Sequence, residues 1–148
     1  MKILFIGDIV GKAGRQIVAD KLPAFREERG IDLVVANAEN AAAGQGLTTA
    51  IANDLLGLGI DGITLGDHAW DQRGFVDEID ALEKVCRPAN LPPQCPGRTH
   101  LVLEKDGFKF LVFTVLGRAH MKLAADCPFR TADRILGENK DAVNGALL

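Results

Sequence analysis

Cysteine is scarce in this chain, long apolar runs are absent, and positive charge is not in surplus. Cys86, Cys95 and Cys127 are odd in number and show no CxxC spacing, which excludes a disulfide framework and a zinc knuckle. No apolar run reaches the length of a membrane span, and the opening Met1–Ile6 is too short for a signal peptide. The expectation is a cytosolic protein with no membrane partner. A formal net charge of -3 and a pI near 5.6 exclude the basic footprint of a duplex nucleic-acid binder. A small nucleotide or an RNA end stays possible where bound metal supplies the positive charge. There is no internal repeat or low-complexity tract, and the Pro/Gly-rich stretch from Arg87 to Gly97 reads as a loop rather than a linker. With 148 residues, 47% of them hydrophobic and 25% charged, the chain is sized for one domain with a real core.

Three apolar runs each end on polar side chains. Ile3–Gly7 leads to Asp8, Leu33–Ala38 leads to Glu39 and Asn40, and Ile63–Gly66 leads to Asp67 and His68. Between them lie helical patterns, so the reading is a β-α repeat with a parallel sheet and flanking helices. In such a sheet the residues past the carboxyl ends of the strands gather along one edge, where ligand sites form. Residues 2 to 7 read as a strand buried on both faces and central in the sheet. Ile17, Val18, Leu22 and Phe25 predict a helix closing at Gly30, which Pro23 is expected to kink or shorten. A second strand is expected over 32 to 37, a helix capped by Thr48 to about Leu58, a third strand over about 61 to 65, and a helix over about 73 to 84. Asp106-Gly107 predicts a hairpin between Thr99–Lys105 and Phe108–Thr114, an antiparallel pair joining the parallel sheet. Residues 115 to 128 read as irregular and 131 to about 143 as helical. The apolar ending Gly145–Leu148 reads as an element cut short.

Gly7, Gly11 and Lys12 imitate a P-loop, but the spacing is one residue short and Ala13 stands where a hydroxyl should hold magnesium. Gly7, Gly11 and Gly14 fail the dinucleotide spacing, although Glu39 could mimic the ribose-binding acid of a Rossmann-like nucleotide-binding domain. Singly, Asp8 reads as a helix cap, Asn40 as a turn residue and His68 as structural. Together, carboxylates and an amide from three strand ends are the donor set that bridges two divalent ions in phosphoester hydrolysis. Without metal such a cluster crowds acidic charge.

Four ordered motifs then carry a resemblance: Ile6-Gly7-Asp8-Ile9-Val10-Gly11, Asn37-Ala38-Glu39-Asn40-Ala41-Ala42, Thr64-Leu65-Gly66-Asp67-His68-Ala69-Trp70-Asp71, and Arg87-Pro88-Ala89-Asn90. The chain resembles, along essentially its whole length, the YmdB-like branch of the calcineurin-like metallophosphoesterases. Asp126-Cys127-Pro128-Phe129 resembles that family's segment before its second half. The resemblance implies an α/β fold, the first half of a four-layer α/β/β/α sandwich, with residues 1–148 as the N-terminal portion of a single domain. It implies a phosphodiesterase acting on cyclic nucleotides such as 2′,3′-cyclic monophosphates, with two divalent ions, manganese or iron before zinc or magnesium. Asp8, Glu39, Asn40 and Asp67 take the places of metal ligands, with Glu39 bridging. His68 takes the place beside the phosphate, stabilising the transition state or protonating the leaving oxygen while a bridging hydroxide attacks phosphorus in line.

Two departures stand out. The family's glycine-asparagine-histidine motif reads Gly66-Asp67-His68, so an anionic ligand replaces a neutral one. The family's three C-terminal histidine ligands have no counterpart, since His100 and His120 match none of their motifs. The expectation is a chain weakly active or inactive alone, assembled as a homo-oligomer or completed by a missing C-terminal half. A catalytically inactive interaction module with this fold is the rival reading.

Overall fold

The computed structural model describes residues 1–121 and 123–148. Lys122, within the stretch expected to be irregular, lies outside the described residues. Strands β1 (Ile3–Ile6), β2 (Leu33–Asn37), β3 (Gly62–Thr64) and β4 (Val85–Cys86) form a parallel sheet in that order. Helices α1 (Gly11–Arg29) and α2 (Thr49–Gly57) follow β1 and β2. Alternation along β2 divides the core. Val34 and Ala36 pack with Val18, Leu22 and Leu55 on the helical side. Leu33 and Val35 pack with Leu101, Leu103 and Val112 on the other. Those last residues belong to β5 (Leu101–Lys105) and β6 (Phe108–Val112), which pair antiparallel and are extended in parallel by β7 (Gly145–Leu147). Leu111 points away from this interface and packs with Ile135 of α4 (Pro128–Asn139). The result is four layers, α/β/β/α, each buried Leu or Val contributing about 1.5–3 kcal/mol.

Four expectations are corrected. The strand β1 is not central: it is an edge strand among the described residues, pairing only with β2, and Phe5 is 48% exposed. The hairpin does not join the parallel sheet. Its turn forms as expected, with Asp106 and Gly107 at φ 51 and 80, but its apolar face, Leu101, Leu103 and Val112, covers the inner face of the first sheet instead of adding to its edge. The helix expected over 73–84 shrinks to α3 (Phe75–Glu78) and a 3-10 turn, Ile79–Ala81. Leu82 leaves helical geometry there because Lys84 must reach β3, where its carbonyl accepts from Ile63 N. Pro23 does not shorten α1, which runs through it to Arg29 with the proline on the exposed side. On that helix only Val18 and Leu22 are buried, while Ile17 is 64% exposed.

Thr48 caps α2, its side chain accepting from Ile51 N at 3.2 Å. Past β4, buried Arg87 donates to the carbonyls of Pro88, Cys95 and Pro96 and holds the proline-rich loop. Buried Asn90 donates to Leu116 O and Asp126 O and accepts from Leu116 N, which binds the irregular segment before α4 to the layer beneath.

Candidate functional site

The carboxyl ends of β1, β2 and β3 meet at one edge of the first sheet. After β1 the backbone turns sharply, with Asp8 at φ 48, a left-handed value that Asp tolerates better than most residues. Two cross-strand bonds hold this turn on its neighbour: Ile9 N donates to Asn37 O at 3.0 Å and Gly11 N to Asn40 O at 2.9 Å. Asp8 is thereby set against Asn40, whose Nδ2 donates to Asp8 Oδ1 at 2.7 Å. The other end of that amide, Asn40 Oδ1, is buried with no partner. An orphaned carbonyl oxygen beside a carboxylate is the donor arrangement a hard or borderline cation completes.

Glu39 lies across the end of β3. Its carboxylate occupies the space over Gly66, where a Cβ would stand 2.1 Å from Oε2. Oε2 accepts from His68 N at 3.3 Å and Oε1 from Asn37 Nδ2 at 3.4 Å. Desolvation raises the Glu39 pKa, partly opposed by the His68 amide and reinforced by the neighbouring charge of Asp67. A half-buried carboxylate repelled by a second one is again a site short of positive charge.

The turn after β3 carries the remaining residues. Ala69 N donates to Gly66 O and Asp71 N to His68 O, both at 3.2 Å, while Ala69 is fully buried and Trp70 packs on the core. Asp67 is left exposed, and His68 is brought to Asp71 with Nδ1 2.5 Å from Oδ2. That hydrogen bond raises the His68 pKa, opposed by burial and assisted by Asp67, Asp71 and Glu39.

The predicted residues therefore assemble as two pieces: Asp8 with Asn40, and Glu39 with the turn bearing Asp67 and His68. Among the described residues no three carboxylate, imidazole or thiol groups stand together closely enough to hold an ion. The fit to a metal pair is that of a partial ligand set, carried by the orphaned Asn40 Oδ1 and the desolvated Glu39. His100 lies elsewhere, at the opposite end of the strands, in a cavity of about 560 Å³ shared with Asp61, Lys84 and Arg98. Sequence reasoning gave no role to Asn37 or Asp71. The three-residue spacing of His68 and Asp71 was a usable signal, whereas the Asn37 contact needs the turn geometry.

The comparisons agree with this architecture. The chain is 38% identical over 138 residues to a 2′,3′-cyclic-nucleotide 2′-phosphodiesterase of Bacillus subtilis, covering 93% of this chain and 52% of that protein. It thus spans about half the length of that curated relative. A hypothetical protein from Thermus thermophilus superposes with a TM-score of 0.87 at 40% identity, over 100% of this chain and 59% of the other. A Mycoplasma pneumoniae protein whose structure is described as a novel phosphatase gives a TM-score of 0.87 at 28% identity, over 100% and 56%. With a family model described as YmdB-like protein matching residues 4–147, the chain belongs to the YmdB-like family.

Proposed function

We propose that this chain supplies one half of the centre of a metal-dependent phosphodiesterase acting on small nucleotides, 2′,3′-cyclic monophosphates among them. The observation that carries the reading is the buried, unpartnered Oδ1 of Asn40, whose amide nitrogen bonds Asp8 and which follows the desolvated Glu39 at the end of β2. Asp8, Glu39, Asn40 and Asp67 would hold two divalent ions, manganese or iron before zinc or magnesium. Ions bound there would supply a nucleophile at neutral pH and offset phosphate charge. The protein's own part is to orient and to move a proton. Glu39 is kept in place by Asn37 and the His68 amide, and His68 stands ready to protonate the leaving oxygen. Asp67, anionic where the family resemblance implies an amide, would lower the net positive charge offered to phosphate. The absence of a complete ligand group among the described residues favours a second reading, a chain that keeps the fold but turns over nothing by itself.

The test is manganese titration of the chain by calorimetry, with hydrolysis of 2′,3′-cyclic AMP followed with and without the ion. Glu39→Gln is expected to weaken manganese binding by roughly 10–100-fold, and His68→Ala to lower any rate by about 10²-fold with binding little changed. Manganese binding that ignores Glu39→Gln would refute the ligand assignment. Saturable binding with no hydrolysis would favour the second reading.

A further inference from the structure

Strand β5 pairs with β6 alone among the described residues, so one side of it is an open edge. Which residues face that edge follows from the far side of β6. There Lys109 N donates to Asn144 Oδ1, Lys109 O accepts from Asn144 N, and Phe113 N donates to Leu147 O. The odd-numbered residues of β6 thus bond toward β7 and the even-numbered ones toward β5. In the register of the hairpin, Phe108, Phe110 and Val112 face Lys105, Leu103 and Leu101. Val102 and Glu104 are left with N–H and C=O turned to the open side. A cavity of about 560 Å³ lies along this edge. Leu101, Val102, Leu103 and Glu104 all line it, although their side chains alternate between the two faces of the sheet. Val102 is 46% exposed, which gives the edge an apolar centre. Glu104 has Lys109 Nζ at 3.9 Å, too far for a hydrogen bond, and keeps its carboxylate free to accept.

An open edge of this kind takes a further strand. We propose that this strand is β5 of a second copy of the chain, running antiparallel across a two-fold axis at Val102, so that β5, β6 and β7 of both copies form one continuous sheet. The choice of partner rests on self-complementarity. With the axis at Val102 the residues that bond outward meet one another. Val102 faces Val102 of the second copy, and on either side of the axis His100 of one copy faces Glu104 of the other. Each such pair exchanges two backbone hydrogen bonds. The exposed valines cover each other and each imidazole stands against a carboxylate, as in favourable cross-strand pairs. On the inner face Leu101 meets Leu103. Neighbouring registers fit less well. Moved one way, Val102 lies against the Glu104 carboxylate. Moved the other way, Glu104 needs Arg98, whose backbone is held beside β4 by Arg87 N and Cys86.

The test is sedimentation equilibrium of the full chain from about 10 to about 500 μM, with amide hydrogen exchange followed at both ends of that range. A monomer–dimer equilibrium is expected. The Val102 and Glu104 amides, fast in the dilute chain, are expected to exchange several-fold more slowly in the concentrated one, while exposed loop amides keep their rates. Val102→Lys sets two ammonium groups face to face on the axis and is expected to raise the dissociation constant at least about tenfold, with the far-ultraviolet circular dichroism unchanged. A chain that stays monomeric throughout overturns the proposal and leaves the edge to a strand of some other protein. A dimer whose Val102 and Glu104 amides stay fast is joined elsewhere and overturns it too, as does a folded Val102→Lys chain that dimerises like the parent. The exchange measurement needs no variant, so it decides the matter even if Val102→Lys fails to fold.

Discussion

Replacing Gly66 by alanine isolates the seat of Glu39. The added Cβ would lie 2.1 Å from Oε2 and 2.5 Å from both Cδ and Oε1 of Glu39. Ordinary contact needs a further 1 Å or so, which the end of a flexible side chain supplies by swinging away. Gly66 does not occupy the left-handed region, so alanine brings no backbone strain. What is lost is the position of one carboxylate and its 3.3 Å bond from the His68 amide, a cost in stability of about 1 kcal/mol. Coordination tolerates far less displacement, with ligand distances held to about 0.2 Å. Manganese affinity is therefore expected to fall at least about tenfold, equivalent to about 1.4 kcal/mol, while the urea midpoint moves little. Calorimetric titration and urea unfolding of both proteins decide the matter. A Gly66→Ala chain that binds manganese as the parent does would refute Glu39 as a ligand seated on β3. One that loses several kcal/mol of stability would mean that Glu39 is held by more than its two long hydrogen bonds.

Three further outcomes are expected. Asp67→Asn removes a charge that raises the Glu39 pKa and keeps an oxygen donor, so manganese binding should persist and any phosphodiesterase rate should hold or rise. A rate falling more than about tenfold would contradict this. Thr48→Ala deletes the cap bond to Ile51 N and should cost about 1 kcal/mol in urea unfolding. No change would mean that α2 is held by its packing alone. With iodoacetamide near neutral pH, Cys127 should react well before Cys86. The Arg130 and Phe129 amides and the Arg130 charge lower the Cys127 pKa, whereas burial pushes Cys86 up to about 12. Mass spectrometry of the labelled peptides would show the reverse order if this is wrong.

How far the molecule is legible in its sequence depends on whether a feature is local. The strand β2 is legible because its apolar run is buried on both sides, and the Asp106-Gly107 turn because its two positive φ values demand those residues. The position of β1 is not legible: Ile3–Ile6 would read the same at the centre or the edge, and its neighbours are set by chain topology. The same holds for the hairpin, whose alternation fits a strand added to the first sheet as well as a layer laid upon it. Phe75, Ile79 and Leu82 fit one turn plus a 3-10 segment as closely as a full helix. The two-residue β4 is too short to show a period. At the site, the convergence of Asp8, Glu39, Asn40, Asp67 and His68 follows from strand ends alone. Their division into two pieces, and the partners Asn37 and Asp71, depend on side-chain directions that spacing does not carry.

The edge position of β1 bears on how the site's donors are mounted. Glu39 and Asn40 follow β2, which is bonded on both sides by β1 and β3 and almost wholly buried. Among the described residues Asp8 follows a strand bonded on one side, beside the half-exposed Phe5. The donors thus rest on one stiff mounting and one compliant one. Amide hydrogens of residues 3 to 8 are expected to exchange sooner than those of 33 to 37, because fewer contacts must break to open them. An ion joining Asp8 to Asn40 and Glu39 would tie the compliant mounting to the stiff one. Slower exchange along β1 would then register its binding several residues away from any ligand.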